Sequence, residues 1–160
     1  MNTSEVLRRT MSVSEKYSLE SVSFRQCKFG VEPASPPEDT TQLETLDQTQ
    51  TYSSFALISG FTIRIKLGSE SLPDVTTIEA RIEVRYRAKN VTSEEPVARS
   101  LSDDEKMFGR VTGIYNSWPY IREFVGSCLM RLGMPPLTLP LMLPAHAVEL
   151  AGITVEDESV

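Results

Sequence analysis

The chain has 160 residues, 40% hydrophobic and 24% charged, a composition that suits one domain able to bury a core without staples. A formal net charge of −6 argues against a general phosphate-binding surface. The two cysteines, Cys27 and Cys128, form neither a zinc spacing nor a secreted disulfide framework, and they read as reduced, packed thiols of a cytoplasmic protein.

Residues 1–16 are polar, and the sequence predicts a flexible N-terminus there. Arg8 and Arg9 are followed by no apolar run of the signal-peptide kind. From Tyr17 to Val31, Val22 and Phe24 alternate with polar residues; Cys27, Phe29 and Val31 then alternate in the opposite phase. One extra residue near Arg25 and Gln26 produces that switch, so a bulged strand is expected. The next two dozen residues are rich in Pro, Thr, Gln and acids and read as a long loop, with a short edge strand around Leu43 to Leu46.

Two strands follow with clear period-2 patterning. Phe55, Leu57, Phe61, Ile63, Ile65 and Leu67 share one face of the first; Ile78, Ala80, Ile82, Val84, Tyr86 and Ala88 share one face of the second. Their linker fits an antiparallel hairpin. Beyond Pro96 the period becomes helical. Ser102 with Glu105 makes a capping box, and Ser117 with Pro119 marks the start of a second helix, whose stripe runs through Ile121, Phe124, Val125, Cys128, Leu129 and Leu132. Gly133 and Pro135 end it. Strands first and helices second give an α+β architecture: an antiparallel sheet with C-terminal helices on one face.

Nothing in the sequence points to catalysis. There is no GxSxG, HExxH, P-loop or GxGxxG pattern, and the single histidine, His146, has no nucleophile motif beside it. The acidic runs lack EF-hand spacing, so no metal and no cofactor are expected. Arg64, Lys66, Arg81, Arg85 and Arg87 are interleaved with Glu79 and Glu83. They read as the wet face of a sheet and not as a nucleic-acid platform. The window from Met134 to Ile153 is the most apolar, but its four prolines exclude a membrane-spanning helix.

Within that window Leu137, Leu139, Leu141 and Leu143 alternate on a proline-stiffened backbone. Such an arm either folds back over its own sheet as core or lines a groove left open for a partner. In the second reading Leu137, Leu139, Leu141, Met142 and Leu143 form the groove with the sheet residues Phe61, Ile63 and Ile65.

The run from Pro119-Tyr120 through Arg122-Glu123 and Arg131 to Pro135-x-Leu137-x-Leu139 resembles the C-terminal half of SecB chaperones, especially those attached to toxin–antitoxin systems. At the level of pattern the resemblance covers residues 17–145, leaving 146–160 as an acidic, flexible tail. It implies a sheet of about four antiparallel strands, a homotetramer built as a dimer of dimers, and an ATP-independent holdase that binds unfolded polypeptides in hydrophobic grooves. The clients would be export precursors or an antitoxin, and the subunit interface would use Tyr120, Ile121, Phe124, Val125 and Cys128. The tail lacks the cysteine cluster through which some SecB proteins meet the translocase motor, which sets client holding on firmer ground than export. The competing reading is a non-catalytic adaptor that binds one folded partner through the same arm.

Overall fold

A computed structural model describes residues 1–33, 40–68, 74–134 and 139–155. The two patterned segments become its central strands, β3 (Ala56–Gly68) and β4 (Asp74–Ala88), paired antiparallel as the sequence predicts. Around them lie β1 (Tyr17–Pro33) and β2 (Thr40–Ser53), giving an antiparallel sheet in the order β1-β4-β3-β2. The dry face carries Leu57, Phe61, Ile63 and Ile65 of β3 against Ile78, Ile82, Val84 and Tyr86 of β4, all buried. The wet face is a lattice of opposite charges: Arg64 donates to Glu79 at 2.7 Å and Arg25 to Glu83 at 2.6 Å, while Glu20 accepts from both Arg85 and Arg87. Such pairs contribute little stability each, but they keep one sheet face in water.

β1 breaks register twice, between Leu19 and Ser21 and between Phe24 and Gln26. The second break is the predicted bulge. It returns Cys27, Phe29 and Val31 to the side that Val22 and Phe24 already face, opposite Ala80, Ile78 and Thr76. β2 corrects the loop reading: the expected edge strand around Leu43 is only the middle of a 14-residue strand. Its Thr- and Gln-rich residues are mostly exposed or half-buried, so no dry and wet alternation announces it.

The helical layer is also simpler than the sequence suggests. One 29-residue helix, α2 (Asp103–Arg131), replaces the expected pair and crosses Pro119 without a break. Proline removes one donor, leaving the carbonyl of Tyr115 without its helical partner. Both residues lie on the exposed side of the helix, where water can satisfy that carbonyl. Ser117 caps nothing; its hydroxyl donates back to the carbonyl of Ile114 at 3.1 Å. The capping box at the N-terminus is present, with Glu105 N–H donating to Ser102 Oγ at 3.2 Å and Ser102 N–H to Glu105 Oε2 at 2.9 Å.

Two glycines set the helix close on the sheet. A Cβ at Gly113 would lie 2.8 Å from Ser59 Oγ, and one at Gly109 2.9 Å from Gln50 Cγ. Residues 1–16 do not fray but contain α1 (Thr3–Ser14), capped by the Asn2 side chain and burying Val6, Thr10 and Val13. Beyond the arm there is a short helix, α3 (Pro144–Leu150), with Ala147 and Val148 buried. The tail boundary placed at residue 146 therefore falls inside a packed element, and Arg110 donates to the carbonyl of Ala151.

A buried polar cluster ties the ends of the layers together. Arg99 donates to Glu105 at 2.6 Å and Tyr17 donates to the same carboxylate at 2.6 Å. The Arg99 guanidinium holds the Glu105 carboxyl down at about 2, against its burial. Burial, helped by Glu105, pushes the Tyr17 hydroxyl well above the usual tyrosine range. Arg99 also lies 4.2 Å over the ring of Tyr52, whose hydroxyl donates to Glu95 at 2.9 Å.

Candidate functional site

The proline-stiffened arm crosses the side of α2 and is fixed there by its own backbone. Trp118 Nε1 donates to the carbonyl of Pro140 at 2.8 Å, and Arg122 Nε to that of Leu139 at 2.8 Å. Leu139 is thereby driven into the core, 2% exposed, whereas the residues just beyond are lifted out: Leu141 is 73% and Leu143 56% exposed. Two hydrogen bonds to consecutive carbonyls, with a buried leucine between arm and core, make this a rigid presentation of apolar side chains and not a loose loop.

Beside the arm lies an open groove of about 300 Å³. Leu43 of β2, Trp118 of α2, Leu141 and Met142 of the arm, and His146 and Leu150 of α3 line it. A second apolar groove, about 240 Å³, runs between α1 and α2 along Leu7, Met11, Val111 and Tyr115 to Pro144. Neither brings together a nucleophile and a base. What the first can do is bury a large apolar side chain, worth on the order of 1.5–3 kcal/mol before ordering costs.

The sequence-predicted groove residues divide. Leu141 and Met142 line the open groove, Leu143 is exposed just beyond them, and Leu139 is buried in the core. Phe61, Ile63 and Ile65 are corrected: each is 1% exposed, sealed between the sheet and the helical layer, with no surface to offer a partner. Period-2 patterning identifies a dry face but not whether the molecule's own helix already covers it. Leu137 lies outside the described residues. Sequence patterning misses Leu43, which stands in a Thr-, Gln- and Glu-rich stretch, and Leu150, which falls in the segment read as a flexible tail. It misses Trp118 too, whose ring nitrogen is the arm's anchor.

The expected subunit-contact residues divide in the same way. Ile121 and Val125 point inward and are buried. Tyr120 is exposed, Cys128 is half-buried, and Phe124 lies between them, stacked on Phe24 of β1 at 4.9 Å and near Phe29 at 6.4 Å. Phe29 and Val31 continue this apolar strip along the open edge of the sheet, both at least half exposed. Cys27 is exposed on the same strand, so only Cys128 fits the packed-thiol reading, and neither is bridged.

No family model matches the chain, and no curated protein matches it in sequence. Solved structures do. The SecB-like chaperone Rv1957 of Mycobacterium tuberculosis, in complex with a ChAD peptide from the Rv1956 HigA1 antitoxin, superimposes with a TM-score of 0.68 at 19% identity, covering 88% of this chain and 98% of that one. The chain has a SecB-like fold. A protein of unknown function from Streptococcus agalactiae reaches a TM-score of only 0.38 at 12% identity, covering 78% of this chain and 99% of that one, and carries no argument. Within the SecB-like fold of this chain, the four-stranded antiparallel sheet is the one the resemblance implied, and β2 is its strand least marked in sequence. Among the described residues no helix is long and apolar enough to cross a membrane.

Proposed function

We propose that this chain is a passive holdase, a chaperone that captures non-native polypeptide in the groove beside its arm and needs neither nucleotide nor metal. The observation that carries this reading is the pinned arm, which exposes Leu141 and Leu143 beside an apolar groove on a SecB-like fold. Burial there is non-directional, so single contacts are weak and tolerant of sequence. Strength comes from repetition: several copies of the groove on one oligomer raise avidity by about 10²–10⁴ without a new contact. We place the subunit contact on the open β1 edge and on Tyr120, Phe124 and Cys128, where apolar surface continues from strand to helix, and propose a tetramer. The client is an export precursor or, as the peptide bound by the M. tuberculosis chaperone suggests, an antitoxin segment.

The test is suppression of aggregation for two or three unrelated unfolding proteins in cytoplasm-like buffer, wild type against the Leu141→Ser/Leu143→Ser double variant. Both residues are solvent-exposed, so the fold should survive, as circular dichroism will verify. Protection should fall for every client by similar factors, about 1–3 kcal/mol per well-buried side chain lost. A wild-type protein that protects none of them, yet binds one folded partner tightly, is an adaptor instead.

A further inference from the structure

β2 is an edge strand, so among the described residues one side of its backbone meets no neighbouring strand of the sheet. Much of that side is closed. At its C-terminal end Ser53 pairs with Ala98, and Tyr52 is held by Glu95 and by the guanidinium of Arg99. In the middle the register shifts between Leu46 and Thr49; Asp47 adopts φ 50°, and its carbonyl accepts from Arg81 at 2.6 Å. What remains is regular strand from Thr41 to Leu46, with its outer amides and carbonyls without a strand partner among the described residues.

The two faces beside that stretch differ in chemistry. Leu43 pairs with Ile65 and so lies on the helix side, where it lines the same groove as Leu141, Met142 and Leu150. On the other side Gln42 and Glu44, with Leu43 between them, border a depression of about 400 Å³ that also carries Arg64 and Lys66. Arg64 is engaged by Glu79 and Glu44, whereas Lys66 makes no ion pair among the described residues. A strand laid about 4.8 Å outside β2 would therefore set alternate side chains into an apolar groove and beside the Lys66 ammonium.

We propose that clients bind by strand addition to the outer edge of Thr41–Leu46, as extended segments alternating apolar residues with polar or acidic ones. This rests on the holdase reading and gives it a selection rule. Main-chain hydrogen bonds supply affinity that any proline-free segment can draw on, and the two faces select for alternation. Segments of that pattern are the strand-forming stretches that an unfolded chain most needs shielded.

The probe is a short fluorescent peptide alternating leucine with threonine and glutamate, prepared unmodified and with backbone N-methyl groups at alternate positions, in either phase. N-methylation in the phase that faces β2 should weaken binding at least about tenfold, and in the other phase should change it little. Hydrogen exchange should slow at Thr41–Leu46 on binding. Lys66→Glu should lower affinity for the glutamate peptide and raise it for a lysine counterpart, each about two- to fivefold. If the unmodified peptide binds and both N-methyl phases bind equally, or protection falls elsewhere, strand addition is overturned while the holdase reading stands. Strand addition is likewise overturned if the protein suppresses aggregation but ignores the peptide. If it neither binds the peptide nor suppresses aggregation, the holdase reading itself has failed.

Discussion

The close seat of α2 on β3 makes an unusual demand on Gly113. In a free helix Gly→Ala gains about 1 kcal/mol. Here the added methyl would arrive 2.8 Å from Ser59 Oγ and 3.3 Å from Ser59 Cβ. Ser59 is fully buried, and its hydroxyl has no hydrogen-bond partner among the described residues. Rotating Oγ away does not move Cβ, so the helix must lift or the strand must bend. Overpacking of this kind costs about 1–3 kcal/mol, which leaves Gly113→Ala destabilised by up to about 2 kcal/mol despite its better propensity. Ser59→Gly removes both obstructing atoms. In that background the same Gly113→Ala change should stabilise by about 0.5–1 kcal/mol, so the two sites should couple by about 2 kcal/mol. Urea denaturation at fixed protein concentration, followed by circular dichroism and by the fluorescence of the single tryptophan, measures all four corners of the cycle. If Gly113→Ala raises the midpoint in the wild-type background, the helix does not sit as close to the strand as these distances require.

The buried carboxylate of Glu105 has a folded pKa depressed to about 2, so its contribution is present above the ordinary carboxylate range and is lost as pH falls through that value. Acid unfolding between about pH 4.5 and 2 should therefore be shallower in Glu105→Gln, which also starts less stable at pH 7. Arg122→Ala should free the carbonyl of Leu139 and speed hydrogen exchange and proteolysis at residues 139–143 while leaving the sheet intact. Tyr120→Glu with Phe124→Glu should shift the light-scattering mass to smaller species without loss of helix signal; an unchanged mass would remove the proposed contact. Client protection should be the same with ATP or with EDTA, and dependence on either would end the passive mechanism.

Legibility in the sequence followed contrast. β3 and β4 were readable because each has one wet and one dry face, and the N-terminus of α2 because Ser102 and Glu105 cap each other. β1 was readable down to the second of its two bulges, since a change of phase between apolar residues leaves a mark in the pattern, while the first, among the polar residues near Glu20, left none. β2 was not, because an edge strand flanked by water on one side and a groove on the other has little contrast to display. α1 was hidden by its serines and threonines, and the join within α2 by a Ser-x-Pro run that resembles a helix start yet sits on the exposed side of a continuous helix. For the site, alternating leucines gave the arm but not its orientation. That was set by Trp118 and Arg122 reaching the backbone of residues 17 or more positions away, contacts that leave no periodic trace.

The two unclosed edges of the sheet have a consequence for solution behaviour. If β1 of one copy met β2 of the next, the contact would be head-to-tail, and every addition would regenerate the same pair of free edges: a filament without end. Contact between like edges closes after two copies. The bulges of β1 and the break at Asp47 in β2 each interrupt the regular backbone of their own edge, so neither edge offers a long flat template to the other. The irregularities that bend these strands thus also act as guards against self-polymerisation, and a variant with Asp47 deleted, which removes the one extra residue of β2, is the one most expected to form fibres.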